Sequence, residues 1–145
     1  MAERTQGEIT IAAEPSAIMD VIADFEAYPE WASGVKKSEI QERDGEGRGQ
    51  KVRFEVSMLG LSGWYELTYS YKPDGAGISW TFVDGSPIKN LAGEYALSGT
   101  DGSTKVVYRA SVEPGIPMMG FMKRKMESQV IDIALKGLKK RVESR

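Results

Sequence analysis

The sequence predicts an α+β domain in which a curved antiparallel sheet of seven strands wraps around a long C-terminal helix. The last segment, residues 117–142, repeats apolar side chains at steps of three and four, which is typical of an amphipathic helix. Most of the chain before it alternates apolar and polar residues between short turn signals, which is typical of strands. A long amphipathic helix needs an apolar partner, and the β-rich middle of the chain is the candidate. Because no repeat or linker interrupts the sequence, residues 1–145 are expected to form a single domain.

The N-terminal part predicts one strand followed by two short helices. Thr5–Ala12 alternates, with Ile9 and Ile11 on one face, and is expected to form the first strand. Pro15 opens the first short helix, because the first helical turn does not need the N–H group that proline lacks. Proline disfavours helical geometry in the residue before it, so the second short helix is expected to begin near Pro29.

Six further strands are expected between the short helices and the C-terminal helix. Glycine, proline and aspartate mark the turns between them, and connections this short join antiparallel neighbours. The strands are predicted at Val35–Arg43, Gln50–Met58, Leu61–Tyr71, Gly77–Val83, Ile88–Leu97 and Thr104–Val112. On the last four of them, the side chains expected to face inward are Leu67, Tyr69, Trp80, Phe82, Leu91, Tyr95, Leu97, Tyr108, Ala110 and Val112.

The C-terminal helix is expected to span Pro117–Val142, and Pro114-Gly115-Ile116 is expected to act as a hinge before it. Its first half holds four of the seven methionines, a residue type that is unbranched and adaptable. They are Met118, Met119, Met122 and Met126. Two interpretations stay open, since methionines at helical spacing either fill an ordinary core or line a cavity while the second half of the helix covers the sheet.

Two absences in the composition limit the possible chemistry. The chain has no cysteine, which excludes disulfides, thiolate metal sites and cysteine nucleophiles, and which agrees with a reducing cytoplasm. It has no histidine, which excludes the usual general base and most transition-metal sites. The N-terminus is polar and no apolar run approaches the roughly 18 residues of a membrane span. A cytoplasmic location without signal peptide or membrane span is therefore expected.

Charge is distributed unevenly along the chain. The net charge is −2, but residues 117–145 carry eight Lys and Arg against three Asp and Glu. Basic side chains such as Lys139 and Lys140 complement the dipole at a helix C-terminus, so they are expected on a solvated face. Nucleic-acid binding is not expected, because Phe121 is the only aromatic residue among these basic side chains.

Two apparent motifs are interpreted as structural. The glycine-rich stretch of residues 45–49 lies between two predicted strands, and without a following helix it is a hairpin turn rather than a phosphate loop. Asp20, Asp24 and Glu26 are close in sequence on a predicted helix, but nothing completes an oxygen-ligand shell around them. They are interpreted as the solvent-exposed face of a helix, and neither a metal nor a cofactor is expected.

Three segments and the order of the elements carry a resemblance to a known family. They are the stretch AEPSAIMDVIAD at residues 13–24, the stretch FEAYPEW at residues 25–31, and Gly34-Val35, together with the glycine and proline before the last helix. In these features the chain resembles the polyketide cyclase/dehydrase-like branch of the START/Bet v 1-like (SRPBCC) superfamily. The resemblance implies a helix-grip fold, whose members include lipid carriers, cyclases, hydrolases and protein-binding proteins.

The resemblance also implies an apolar cavity between the sheet and the long helix. Carried onto this sequence, the residues expected to line the cavity and bind the ligand are Trp31, Phe54, Tyr69, Trp80, Tyr95, Tyr108, Met119, Met122 and Met126. The residues expected at its entrance are Met58, Leu59, Leu61 and Pro87. Apolar residues at a hairpin tip are costly to leave in water, so the tip at residues 58–61 is expected to fold onto the domain or to meet a ligand, membrane or partner.

Three functional hypotheses follow. The first is binding of a small hydrophobic or amphipathic molecule, such as a lipid, a polyketide-like aromatic or an isoprenoid, oriented by a few tyrosines. The second is a cyclase, aromatase or dehydratase that works without histidine or cysteine, for which no catalytic residue is named. The third is a protein-interaction role through the long helix or the hairpin tip. The expected partner is a small hydrophobic molecule, without nucleic acid or stable membrane insertion, and no oligomeric state is predicted.

Overall fold

The computed structural model describes residues 4–58, 61–100 and 102–144, and it confirms the predicted helix-grip architecture. The C-terminal helix consists of three continuous pieces, which are α2, a π-helical turn and α3. In chain order the elements are β1 (Arg4–Ile11), α1 (Pro15–Ile22), a 3₁₀-helix (Phe25–Glu30), β2 (Val35–Arg43), β3 (Gly49–Met58), β4 (Leu61–Tyr71), β5 (Gly77–Ser86), β6 (Asn90–Thr100), β7 (Ser103–Glu113), α2 (Gly120–Asp132), the π-helical turn (Ile133–Gly137) and α3 (Leu138–Glu143).

The seven strands form one antiparallel sheet in the order β1-β7-β6-β5-β4-β3-β2. Strands β2 to β7 pair with their neighbours in sequence, as their short connections predicted. β1 crosses to the far edge and pairs with β7, where Gly7 lies opposite Tyr108. The register shifts within the β2–β3 pair and between Glu66 and Leu67 of β4, and irregularities of this kind bend a sheet. The curved sheet therefore presents a concave inner face to the C-terminal helix.

Two predicted helix boundaries are wrong. The C-terminal helix begins at Gly120 rather than Pro117, because Met119 has extended dihedrals (φ −68°, ψ 151°) and serves as the N-terminal cap. Gly115 bends the chain before it with a left-handed φ of +77°, which glycine adopts at little cost. The second short helix begins at Phe25 and contains Pro29, because the break after α1 falls earlier, at Asp24 (φ −85°, ψ 69°).

The ends of two strands also differ from their predicted positions. β5 continues past Val83 to Ser86, and β6 covers Asn90–Thr100 instead of Ile88–Leu97. In β5 the extension pairs with β4, where Gly85 lies opposite Tyr65. The ends of these strands are therefore set by pairing with neighbouring strands, and the alternation of apolar and polar residues alone does not locate them.

The core lies between the inner face of the sheet and the helices. Ile18, Ile22 and Phe25, from α1 and the 3₁₀-helix, are fully or almost fully buried, as is Leu138 of α3. Over β1 the C-terminal helix approaches the sheet so closely that a Cβ atom on Gly7 would lie 2.9 Å from Cγ2 of Ile131. Glycine at this position thus allows close packing of helix and sheet. Within the described ranges, no helix is long and apolar enough to span a membrane.

Candidate ligand-binding cavity

A cavity of about 190 Å³ lies between the inner face of the sheet, the 3₁₀-helix and the C-terminal helix. Strands β2 to β7 supply its wall on one side, and α2 and the π-helical turn lie on the other side. The wall is predominantly aromatic and aliphatic. An apolar cavity with a few polar atoms is the arrangement found in small-molecule sites of proteins.

The structure brings most of the predicted lining residues together around this cavity. Those at its wall are Trp31, Phe54, Tyr69, Trp80, Tyr95, Tyr108 and Met126. Met119 and Met122 do not line it, which corrects their expected placement. Met119 is 69% exposed because it precedes the helix in extended conformation, and Met122 is half-buried in the first helical turn. The helix instead contributes Val130, Ile133 and Ala134, from its middle.

The predicted entrance is described only in part. Pro87 lines the cavity. Met58 and Leu61 pair with each other at the end of the β3–β4 hairpin, and Leu59 lies outside the described residues. Val56, Ser62 and Gly63, next to that hairpin end, are cavity residues. The hairpin end is therefore adjacent to the cavity, and its role as an entrance stays a prediction.

Four aromatic residues form a continuous cluster on the inner face of β4 to β7. The ring centroid of Trp80 lies 5.8 Å from that of Tyr69 and 5.7 Å from those of Tyr95 and Tyr108. Tyr95 and Tyr108 are directly opposite each other in the β6–β7 pair, with centroids 5.0 Å apart. Tilted contacts at these distances are favourable between aromatic rings. The alternation of each strand places these side chains on one face, and sheet pairing brings them into contact.

Two of the cavity tyrosines are held by hydrogen bonds to the main chain. Tyr95 donates its hydroxyl to the carbonyl oxygen of Ala134 in the π-helical turn, over 2.9 Å. Tyr28 donates to the carbonyl oxygen of Ile22 at the end of α1, over 2.6 Å. The first bond ties the π-helical turn to the aromatic cluster, and the second ties the 3₁₀-helix to the end of α1, so both hydroxyls are structural.

The other phenol groups of the wall and its two indoles have no hydrogen-bond partner among the described residues. In the described part of the chain, the hydroxyls of Tyr65, Tyr69 and Tyr108 make no hydrogen bond to a protein group. The indole N–H groups of Trp31 and Trp80 are buried and also lack an acceptor among the described residues. Buried donors without a partner are rare in proteins and cost stability, so the two indole N–H groups on one cavity wall are a property of the site.

The cavity is electrically neutral. Every residue assigned to its wall is uncharged, as far as the described residues extend. Burial raises the pKa of all five tyrosines of the wall above the ordinary value of 10.0. They are Tyr28, Tyr65, Tyr69, Tyr95 and Tyr108. All five phenols therefore carry their protons throughout the physiological pH range.

Charged side chains of the same strands lie on the outer face of the sheet. Glu66, Glu94 and Arg109 are expected from the alternation to be solvated, and the structure shows them half-buried in ion pairs. Arg109 contacts Glu94 at 3.4 Å between Nη1 and Oε2, and Arg53 contacts Glu66 at 3.6 Å. The alternation of the strands assigned these side chains to the outer face correctly. Their ion-pair partners are residues on neighbouring strands.

Several wall residues are missing from the sequence-based set. Tyr65 belongs to the same inward alternation as Leu67 and Tyr69, so extending that pattern by one step would have found it. Tyr28 lies in the FEAYPEW stretch that carries the family resemblance. The π-helical turn that brings Ala134 to the cavity has no signal in the sequence.

The family described as "Polyketide cyclase / dehydrase and lipid transport" matches residues 2–143. A START superfamily protein from Mycobacterium smegmatis shares 25% identity and a TM-score of 0.87, with 97% of each chain covered. An aromatase/cyclase from a Streptomyces species shares 18% identity and a TM-score of 0.81, with 100% of this chain and 96% of that chain covered.

A STAR-related lipid transfer protein from Xanthomonas axonopodis also has this fold. It shares 19% identity and a TM-score of 0.71, with 95% of this chain and 84% of that chain covered. No curated protein matches the sequence. The match over residues 2–143, the seven-stranded sheet around a C-terminal helix and the apolar cavity between them agree with one another. The chain belongs to the polyketide cyclase/dehydrase and lipid transport family of the START/Bet v 1-like superfamily.

Proposed function

We propose that the protein binds a small hydrophobic or amphipathic molecule, of the lipid, polyketide-like or isoprenoid class, in the cavity between sheet and C-terminal helix. The observation that carries this proposal is the cavity of about 190 Å³ with an aromatic and aliphatic wall. An engineered apolar cavity of about 150 Å³ is large enough to bind benzene, so this one has room for a substituted ring or a short chain. Burial of apolar ligand surface supplies the driving force, at about 25 cal/mol per Å².

The comparisons support the same proposal. The family description names lipid transport beside cyclase and dehydrase activity, and one structural neighbour is a lipid transfer protein. Each of these activities acts on a small molecule, and the cavity between sheet and helix has room for one. Ligand binding is therefore the function that the cavity and the comparisons both support.

An aromatase, cyclase or dehydratase activity is the second candidate, favoured by the similarity in fold to the Streptomyces aromatase/cyclase. The phenols of Tyr69 and Tyr108 could hold a folded poly-β-keto chain. Their raised pKa values weigh against proton transfer near neutral pH, where an effective acid or base has a pKa close to the ambient pH. A Tyr69→Phe/Tyr95→Phe/Tyr108→Phe variant that turns over such a chain as fast as the parent would contradict a catalytic role for these hydroxyls.

The first test of ligand binding is native mass spectrometry of the freshly purified protein, followed by solvent extraction and identification of any molecule that leaves with it. A co-purifying apolar molecule supports the proposal and identifies its chemical class. If only the mass of the ligand-free protein is observed, before and after incubation with lipids, isoprenoids and aromatic polyketides, the result contradicts the proposal.

Variants that fill the cavity make the test specific to this site. Val130→Phe and, independently, Leu91→Phe add a ring to the cavity wall, and both are expected to abolish or strongly weaken ligand retention. Val83→Phe is the matched control, because Val83 lies outside the wall and is 45% exposed. Extra bulk in a packed site costs about 1–3 kcal/mol, so circular dichroism and the urea midpoint must show that the variants are folded. Undiminished ligand retention in both folded variants would place the ligand elsewhere.

A further inference from the structure

Several donor groups of the cavity wall have no hydrogen-bond partner in the described part of the protein. Tyr65, Tyr69 and Tyr108 have hydroxyls without a protein partner among the described residues, and the indole N–H groups of Trp31 and Trp80 lack an acceptor. An indole N–H can only donate, and a phenol donates at least as readily as it accepts. A ligand that offers an acceptor oxygen satisfies groups that are otherwise unpaired.

Two main-chain acceptors near the cavity already receive a hydrogen bond from a wall tyrosine. The carbonyl oxygen of Ala134 accepts from Tyr95, and the carbonyl oxygen of Ile22 accepts from Tyr28. A ligand that offers only donors would therefore compete with bonds that hold the π-helical turn and the end of α1 in place. The wall thus favours acceptors over donors in the ligand.

The cavity also lacks a counter-charge for an anion. No Lys or Arg is part of the described cavity wall, and the two arginines of β3 and β7, Arg53 and Arg109, are paired with Glu66 and Glu94 on the outer face. Transfer of a carboxylate from water into an apolar space without a cation is strongly unfavourable. The phenols are uncharged and supply no positive charge to pair with an anion.

Resting on the proposed ligand-binding function, we infer that the cavity selects uncharged molecules that carry an acceptor oxygen, such as a ketone or an ester, and discriminates against carboxylates. Free fatty acids and other carboxylates are then poor ligands, and neutral carbonyl compounds of one or two rings are good ones. The unpaired hydroxyls of Tyr69 and Tyr108 supply the hydrogen bonds that distinguish a carbonyl compound from a plain hydrocarbon.

Three naphthalenes of nearly equal size test this inference by calorimetric or fluorescence titration. They are 2-acetonaphthone, which has a neutral acceptor, 2-naphthoate, which is anionic at neutral pH, and 2-ethylnaphthalene, which has no acceptor. The ketone is expected to bind roughly 100-fold tighter than the carboxylate, the equivalent of a two-unit desolvation shift in a carboxyl pKa. It is expected to bind roughly five-fold tighter than the hydrocarbon, which corresponds to one net hydrogen bond.

Two variants test whether the tyrosine hydroxyls cause the preference for a ketone over a hydrocarbon. Tyr69→Phe and Tyr108→Phe are expected to reduce the ratio of ketone affinity to hydrocarbon affinity, because each variant removes one hydroxyl that can donate to the ketone. Tyr71→Phe is the matched control from the same strand as Tyr69, because Tyr71 lies outside the cavity wall and donates to the carbonyl oxygen of Gly49. It is expected to keep the full preference. Acidification below the pKa of naphthoic acid is expected to bring its affinity close to that of the ketone.

The hydrocarbon separates failure of this inference from failure of the proposed function. If 2-ethylnaphthalene binds and the carboxylate binds as tightly as the ketone, the inference is overturned while ligand binding stands. Equal affinity for ketone and hydrocarbon overturns the acceptor preference in the same way. If none of the three compounds binds, and no lipid or isoprenoid binds either, the proposed function fails and the inference fails with it.

Discussion

Replacement of Tyr95 by phenylalanine is expected to destabilise the protein, because the hydroxyl of Tyr95 holds the π-helical turn against the sheet. That hydroxyl donates over 2.9 Å to the carbonyl oxygen of Ala134, and both residues are buried. In the variant the buried carbonyl oxygen loses this side-chain donor. The C-terminal helix and the β6–β7 pair would then lose the only side-chain hydrogen bond that the described residues show between them.

The magnitude follows from the cost of leaving a buried polar group without its partner. Removal of one partner of a buried hydrogen bond costs roughly 1–3 kcal/mol of unfolding free energy. For a chain of 145 residues, each kcal/mol lowers the melting temperature by roughly 3 °C. The free energy of unfolding is best measured by urea denaturation of the ligand-free protein, with an unchanged slope as evidence of unchanged two-state behaviour.

Tyr69→Phe is the matched control for this prediction. Tyr69 and Tyr95 are 6% and 5% exposed and belong to the same aromatic cluster, but the hydroxyl of Tyr69 has no hydrogen-bond partner among the described residues. Its removal is expected to change stability by less than about 0.5 kcal/mol, or to stabilise the protein. Equal losses in the two variants, or no loss in Tyr95→Phe, would refute the role assigned to the bond.

Two further predictions concern packing and pH. Gly7→Val places a Cβ atom 2.9 Å from Cγ2 of Ile131 and is expected to cost about 1–3 kcal/mol in urea denaturation, whereas Gly45→Ala, with open space around it, is expected to cost little. The second prediction rests on the raised pKa values of the buried tyrosines, whose largest cause is burial. Their stabilising effect is complete below the unfolded value near 10 and is lost as the pH rises through the folded values. Tyrosinate absorbance is thus expected to rise in alkali together with loss of circular dichroism, and a rise near pH 10 with the fold intact would contradict the burial.

Much of the fold follows from local patterns in the sequence. Alternation assigned Tyr69, Trp80, Tyr95 and Tyr108 to the inner face, because successive side chains of a strand point to opposite sides. The short turns predicted antiparallel neighbours for β2 to β7, and the structure confirms them. The start of the C-terminal helix was missed because the left-handed Gly115 and the extended Met119 depend on how the preceding chain leaves β7.

The candidate site was predictable only in part. Met119 and Met122 share the helical spacing of Met126, but the wall of the cavity begins at Met126, where the helix passes over the sheet. The helix can bury only those residues that have a sheet beneath them, and the spacing alone does not contain that information. Tyr28 reaches the cavity from the 3₁₀-helix, whose start the proline rule placed too late.

The sequence by itself determined which residues face inward, how the strands follow one another and that the site contains neither cysteine nor histidine. The tertiary structure decided which hydroxyls are bonded and which are free. Tyr95 and Tyr69 have the same periodicity and burial, but only Tyr95 meets a main-chain carbonyl, because the π-helical turn brings Ala134 to it. Hydrogen-bond partners distant in sequence are set by the packing of helix on sheet, and the polarity of the cavity depends on that packing.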